Sequence, residues 1–417
     1  MAAKHQAPKG TFDVLPADEA ARAAVSSAAR ERLRAAGYAR IETPIFEDTG
    51  LFERGVGEST DIVRKEMFTF DDQGGRSVTL RPEGTAPICR AYIEHGMHRL
   101  AQPVKLAYEG PFFRYERPQE GRFREFNQIG AEAIGSASPL VDAELIILLD
   151  RILADVGIPD AELLLSSLGS PGARADYRDE LRGFLRDHEP SLSDEVRERI
   201  DSNPMRAFDS DHAGTRAVME NAPQILDRLG AEDAEHFAAV RGLLDEAGVA
   251  YTLDGSLVRG LDYYNRTVFE FTCDRLGAQS GLGGGGRYDG LVELLGGPAT
   301  PAVGWAAGVE RILLAMKTRP EPEPIDVFVV TGGDRAAASA LVRRLRDAGL
   351  AADLDLAERS FKGQMKQADR SGARHAVILE GDGTAKLRDM SSGDQRDVDP
   401  GAIAAELGGG ISETARP

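Results

Sequence analysis

Cysteine is scarce in this 417-residue sequence, with only Cys89 and Cys273 present. A disulfide-stapled secreted fold is therefore not expected, and two thiols are too few for a cysteine zinc site. Long apolar runs are missing as well. The longest are short, such as Leu145 to Leu149, far below the roughly 20 residues that span a bilayer as a helix, so no membrane association is expected. The opening residues, MAAKHQAPKGTFDVLP, hold no apolar stretch ahead of a cleavage-like site. No secretory signal is read there, and the cytoplasm is the expected compartment. Net positive charge is also lacking. The formal charge is −18 and the pI about 5.0, the reverse of the usual nucleic-acid binder. No internal repeat or low-complexity tract is visible.

What is present suits a globular protein. Hydrophobic residues make up 42% and charged residues 28%, which supports sizeable cores and argues against global disorder. The length allows two or three domains. Charge is unevenly spread: Arg335 to Arg374 carries nine basic residues against five acidic ones. Such a local excess can bind phosphates within an acidic chain, or can be a solvated helix face.

Three blocks stand out. The first opens with a helical pattern from Ala17 to Ala36, closed by Gly37, and continues in strand-like pieces. MFTF and SVTLR flank a glycine-containing turn and read as a hairpin. VKLAYEGPFFRYE and FREFNQIGAEAIG read as a longer antiparallel pair, and SLVRGLDYYNRTVFEFTC as another strand pair or meander. Strands and helices without regular alternation predict an antiparallel sheet with helices, an α+β domain. The second block, from about Ser170 to Gly248, has no strand signal and reads as a helical insertion. The third follows EPEP, a stiff linker signal. There IDVFVV, AADLDLA and HAVILEG alternate with two helical patterns, as in a small sheet with parallel strands.

GLGGGG at 281–286 matches the glycine pattern of a dinucleotide loop. The residues before it are polar and no βαβ unit surrounds it, so that reading is set aside. Glycine backbone packed closely against a small ligand is the better account. His95 and His98 lack the spacing and the third ligand of a metal site. In FFRYERPQEGRFREFNQIGAE, Arg114 and Glu116 fall on one face of a strand, and Phe126, Gln128, Gly130 and Glu132 on one face of the return strand. Arginine, glutamate, an aromatic ring and glutamine on one concave side could hold a triphosphate, a base and an amino acid; an exposed polar sheet edge would look the same. Arg259 beside Gly260, with Tyr263 and Tyr264 following, could clamp a phosphate or merely end a strand. Arg311 sits in a mostly apolar helical stretch, so it lies at a rim or pairs with a buried ligand.

Together these segments resemble the class II aminoacyl-tRNA synthetases, and among them the histidyl-tRNA synthetase family. YARIETPIFE with Pro44 resembles the first class II motif, FRYERPQEGRFREFNQIG the second and GVERILL the third. LVRGLDYYNRTVFEF and GGGGRYDGLVELLG resemble histidine-specific signatures, and TLRPEGTAPICRA an amino-acid-binding loop. The similarity runs from GTFDVLP to KLRDMSSGDQ; Asn127 stands where histidine is common in the family.

The resemblance implies an α+β fold with three parts. Residues 1–169 and 254–320 would form an antiparallel-sheet catalytic domain, residues 170–253 a mainly helical insertion, and residues 325–417 a small C-terminal α/β anticodon-binding domain. It implies activation of L-histidine with ATP and Mg²⁺, then transfer to tRNA(His), by a homodimer. Arg114 and Arg259 would flank the α-phosphate. Glu116, Arg122, Phe126 and Arg311 would contact ATP. Glu83, Thr85, Gln128, Glu132, Tyr263, Tyr264 and Tyr288 would bind histidine, and Gln119 would face the tRNA acceptor stem. No resident metal is implied. The rival expectation is a non-catalytic paralogue, the histidine-binding regulatory subunit of ATP phosphoribosyltransferase, which typically lacks the anticodon domain and catalytic residues.

Overall fold

The structure is a computed structural model describing residues 5–408 except 58–59, 118, 120, 258–260 and 381–382, with the side chains of 278 and 279 also left aside. The chain forms two compact units, residues 1–321 and 322–417.

The first unit is built on an eight-stranded sheet. Its strands in chain order are β1 (Ala39–Arg40), β2 (Val104–Phe113), β3 (Glu125–Ile134), β4 (Glu162–Ser167), β5 (Thr252–Leu253), β6 (Asn265–Thr272), β7 (Gly281–Arg287) and β8 (Ala302–Gly308). Across the sheet the order is β1-β2-β3-β8-β7-β6-β4-β5. The interior pairs are antiparallel, and the two edge pairs, β1 with β2 and β4 with β5, are parallel. This is the α+β, antiparallel-sheet class that the strand patterns predict.

Alternation along the strands divides the two faces. Ile129, Ala131, Ala133, Val303, Trp305, Ala307, Phe269 and Phe271 point to one side. Helix α1 (Pro16–Ala35) packs there through Ala21, Val25, Ala29 and Leu33, which recur every four residues and so form one stripe. Helix α2 (Pro139–Asp155) joins it with Leu145, Ile146, Leu149 and Ile152. Burying each such leucine or isoleucine contributes about 1.5–3 kcal/mol. The opposite face carries a second core of Ile88, Tyr92, Tyr108, Phe112, Tyr177, Leu181, Tyr264 and Tyr288, and opens into a cavity.

The hairpin of Phe68–Asp71 with Ser77–Leu80 forms as expected and gains Phe46–Asp48 as a third strand. Between Ser167 and Thr252 the assigned elements are helical, including Pro171–Asp187, Asp194–Arg199, Ala213–Met219 and Ala231–Glu246. Thr252 and Leu253, expected in the helical stretch, pair with β4 instead. SLVRGLDYYNRTVFEFTC is not a strand pair: among its described residues only Asn265–Thr272 is strand, with a turn before it. GLGGGG is itself a central strand, held between β6 and β8.

In the second unit the strand order is Ala352–Leu354, Val327–Thr331, His375–Leu379, Ala385–Asp389, Gln395–Val398. The first two pairings are parallel and the last two antiparallel. Helix Arg335–Asp347 covers one face through Ala338, Leu341, Val342 and Leu345. Helix Phe361–Arg370 places Ala368 against Phe328 and Val330 on the other.

Candidate active site

The cavity on the sheet's open face has a volume of about 510 Å³. Its floor follows one rung of the sheet, Tyr108–Gly130–Ala306–Gly284–Glu270, read from the paired registers. Glycine recurs there because side chains cross from neighbouring strands. A Cβ on Gly130 would stand 2.2 Å from Cζ of Tyr108, and one on Gly304 would stand 1.5 Å from Oε2 of Glu132. At the β7 end the wall is bare main chain, Gly281 to Gly284, apart from Leu282.

Two guanidinium groups enter from different elements. Arg114 follows β2; its Nε donates to the Pro82 carbonyl at 2.9 Å, and its guanidinium lies 5.4 Å from the centre of the Phe126 ring. Arg311 lies on the short helix Val309–Ala315; its Nε donates to the Gly121 carbonyl at 3.1 Å and its Nη1 to that of Gly281 at 2.6 Å. Among the described residues neither makes an ion pair, so each brings positive charge to the cavity neutralised by no carboxylate in direct contact. Burial and the Arg122 cation pull the Arg311 pKa below the usual value, yet an arginine stays charged at neutral pH. Arg122 pairs with Glu116 at 3.1 Å, and both line the cavity. This cationic end suits a polyanion, and Phe126 adds a flat apolar surface.

The other end is polar and enclosed. Glu83 accepts the backbone N–H groups of Thr85 (2.6 Å) and Ala86 (2.9 Å), capping helix Thr85–Glu94 and fixing the loop. Burial raises its pKa, and the two N–H donors oppose that rise. Gln128 lines the cavity with its Oε1 buried and without a partner among the described residues, and Tyr108 lines it too. Tyr263 and Tyr264 cross at 4.7 Å between ring centres. Their turn is held by Arg174 of helix Pro171–Asp187, whose Nη1 donates to the carbonyls of Asp262 (2.9 Å) and Tyr264 (2.8 Å). Behind this wall Glu132 is fully buried. Its Oε1 accepts from the Thr85 hydroxyl at 2.8 Å and its Oε2 from the Tyr288 hydroxyl at 2.6 Å. Burial pushes its pKa up to about 8.

Comparisons of sequence and fold with known proteins identify the family. Residues 10–312 match the protein family described as Histidyl-tRNA synthetase, and residues 326–408 the one described as Anticodon binding domain. The chain belongs to the histidyl-tRNA synthetase family. A histidine–tRNA ligase of Rubrobacter xylanophilus is 48% identical over 412 residues, 95% of this chain and 97% of that protein. One of Nocardia farcinica is 48% identical over 411 residues, 96% of this chain and 97% of that protein. The fold is similar to that of the apo S. aureus histidyl-tRNA synthetase, with TM-score 0.81, 36% identity, and coverage of 97% of this chain and 100% of that one.

Against the family resemblance, Glu83, Thr85, Arg114, Glu116, Arg122, Phe126, Gln128, Tyr263, Tyr264 and Arg311 gather on the one cavity. One expectation needs correction. Glu132 and Tyr288 stand behind the lining rather than on it, because each satisfies the other's polar group in the fully buried layer. Gln119 sits apart on an exposed loop, bridged to Arg122. Arg259 lies outside the described residues. The sequence reading missed Tyr108, Glu270, Glu310, Arg206 and Asp209, all on the cavity wall. Tyr108 looks like a core residue beside Leu106 and Phe112; only its position opposite Gly130 exposes it. Arg206 and Asp209 come from the helical stretch, where nothing in the sequence distinguishes them from solvated charges.

Among the described residues no helix is long and apolar enough to cross a membrane.

Proposed function

We propose that this chain is a histidine–tRNA ligase: it activates L-histidine with ATP to histidyl-adenylate and pyrophosphate, then transfers histidine to the 3′ end of tRNA(His). The observation that carries the reading is the meeting of the unpaired Arg114 and Arg311 guanidiniums with the polar Glu83, Thr85 and Gln128 wall in one cavity.

In the first step the histidine carboxylate attacks the α-phosphorus of ATP. A bond forms from carboxylate oxygen to phosphorus, the bond to the β-phosphate bridging oxygen breaks, and pyrophosphate leaves with its electron pair. Charge builds on the phosphoryl oxygens, and positioned cations lower that barrier. Arg114 and Arg259 meet that charge. Arg311 and Phe126 hold the adenine, and Glu116 and Arg122 contact the adenine side and the terminal phosphates. Mg²⁺ travelling on the triphosphate needs only one or two protein carboxylates; Glu116 and Glu270 on the wall are the candidates. Glu83, Thr85 and Gln128 hold the ammonium and carboxylate of histidine. Tyr264 meets the imidazole nitrogens and Tyr263 lines the pocket beside it, while Glu132 and Tyr288, joined to each other behind them, support that wall. An amino acid lacking those nitrogens leaves buried polar groups unpaired, which rejects it.

Gln119 on its exposed loop faces the acceptor stem, and residues 326–408 read the anticodon. The enzyme acts in the cytoplasm as a homodimer through the segment around Pro44; the exposed Ile45, Phe46 and Phe70 near it support that.

Amino-acid-dependent ATP–pyrophosphate exchange across all twenty amino acids tests the reading. Exchange with histidine alone is expected; exchange with none would favour the regulatory paralogue. Arg114→Ala should cut the exchange rate on the order of 100- to 1000-fold while histidine binding stays measurable. A near-normal rate would remove Arg114 from the reacting centre.

A further inference from the structure

We propose that Arg22, a residue of the first helix outside the cavity, is a positioning residue for ATP: it neutralises Glu310 and holds that carboxylate back from the path of the phosphates. The inference rests on the reading of the cavity as an ATP site.

Glu310 is almost fully buried yet stands on the cavity wall. A carboxylate on the wall of a polyanion site repels its ligand unless its charge is met elsewhere. Here both oxygens are committed. Oε2 accepts the backbone N–H of Asn127 at 2.9 Å; Oε1 accepts Nη2 of Arg22 at 2.8 Å and Nδ2 of Asn127 at 3.3 Å. The backbone contact has a local cause. Strand β8 ends at Gly308, opposite Gln128, so its ladder stops one residue short of Asn127. The Glu310 carboxylate supplies the missing acceptor. Phe126 and Gln128 flank Asn127, and Arg311 follows Glu310. Gln128 is held by its own ladder partners, Gly110 and Gly308, so the carboxylate chiefly sets the placement of Phe126 and Arg311.

Arg22 is the only cation that pairs with Glu310 among the described residues. It is itself held. Its guanidinium lies 5.5 Å from the centre of the Phe12 ring, and Phe12 packs at 4.6 Å between ring centres on Phe123, another lining residue. Next to this pair, the Arg124 N–H donates to the Gly10 carbonyl at 2.7 Å. Without Arg22, a buried charge loses its partner, which proteins tolerate poorly. The nearest relief for Glu310 is to turn into the open cavity, where its charge meets the nucleotide and Asn127 loses its acceptor. Histidine binds at the other end, so the effect should fall on ATP alone.

The test is the affinity of the full-length protein for ATP and, separately, for histidine by titration calorimetry, with the exchange assay run beside it. Arg22→Gln should weaken ATP binding by about tenfold or more, because a buried charge is left unmet, and leave histidine binding unchanged. Arg22→Lys should recover most of the loss. Adding Glu310→Gln to Arg22→Gln should also recover ATP binding, because the unmet charge is gone. Unchanged ATP affinity in Arg22→Gln, equal loss for both ligands, or no recovery in the double variant would each overturn the proposal. If Arg22→Gln does not fold, the double variant is read alone, and a loss of ATP affinity approaching tenfold overturns it. A wild-type protein that binds ATP but exchanges no amino acid would fail the ligase reading while leaving the role of Arg22 open to the same titrations.

Discussion

At the residue scale the most consequential group is Glu132. Its carboxyl is held in a fully buried layer between the hydroxyls of Thr85 and Tyr288, and its pKa rises from 4.5 to about 8. The folded protein keeps this proton up to about pH 8, whereas the unfolded chain releases it near 4.5. The folded state therefore binds more protons between those values. Its stability from this site is whole below the unfolded pKa and is lost as pH rises through the folded one. The loss is on the order of a few kcal/mol. Glu132→Gln cannot titrate, so its melting temperature should fall less than wild type's between pH 5 and pH 8.5. Parallel melting curves for the two proteins would show that Glu132 does not carry the proton. Strand alternation is enough to put Glu132 on the same face as Phe126 and Gln128. It cannot show the burial of its carboxyl, which depends on Gly304 opposite and on Thr85 and Tyr288, distant in sequence.

At the scale of elements, legibility follows the strength of the local pattern. Helix α1 and the β2–β3 pair show clear periodicity and form where it predicts. The glycine strand β7 is not legible as a strand. Glycine is depleted in strands because it has no side chain to pack. Pairing on both sides overrides that weakness. The segment before β6 misleads in the other direction: its tyrosines favour a strand, but Arg174 fastens their carbonyls into a turn. The close rungs of the sheet make a prediction. Gly130→Ala sets a methyl group 2.2 Å from the Tyr108 ring, a clash between two buried groups that should cost about 1–3 kcal/mol. A lower melting temperature and weaker histidine binding are expected, since the Tyr108 ring must leave the cavity floor. Native stability and native histidine affinity in the Gly130→Ala protein would mean that the ring yields freely.

At the scale of the whole molecule, the two compact units carry different chemistry. The cavity belongs wholly to residues 1–321, and the stretch with nine basic residues against five acidic ones belongs to the second unit. An overall charge of −18 therefore says little about where a polyanion docks; local fields decide that. A chain ending at Pro324 should retain histidine-dependent ATP–pyrophosphate exchange, because every described lining residue remains. It should charge tRNA much more weakly than the full chain. Equal charging by both would count against anticodon reading by the second unit.

The bare glycine wall of β7 has a practical consequence for redirecting the enzyme to another amino acid. The glycine strand offers no side chain with which to read a substrate, and its place in the sheet is fixed from the helix-covered side, where a Cβ on Gly283 or Gly285 would meet the backbone of β8. On the proposed reading, substrate choice is concentrated on the facing surface, at Glu83, Thr85, Gln128 and the tyrosine pair, and libraries aimed at new specificity belong there.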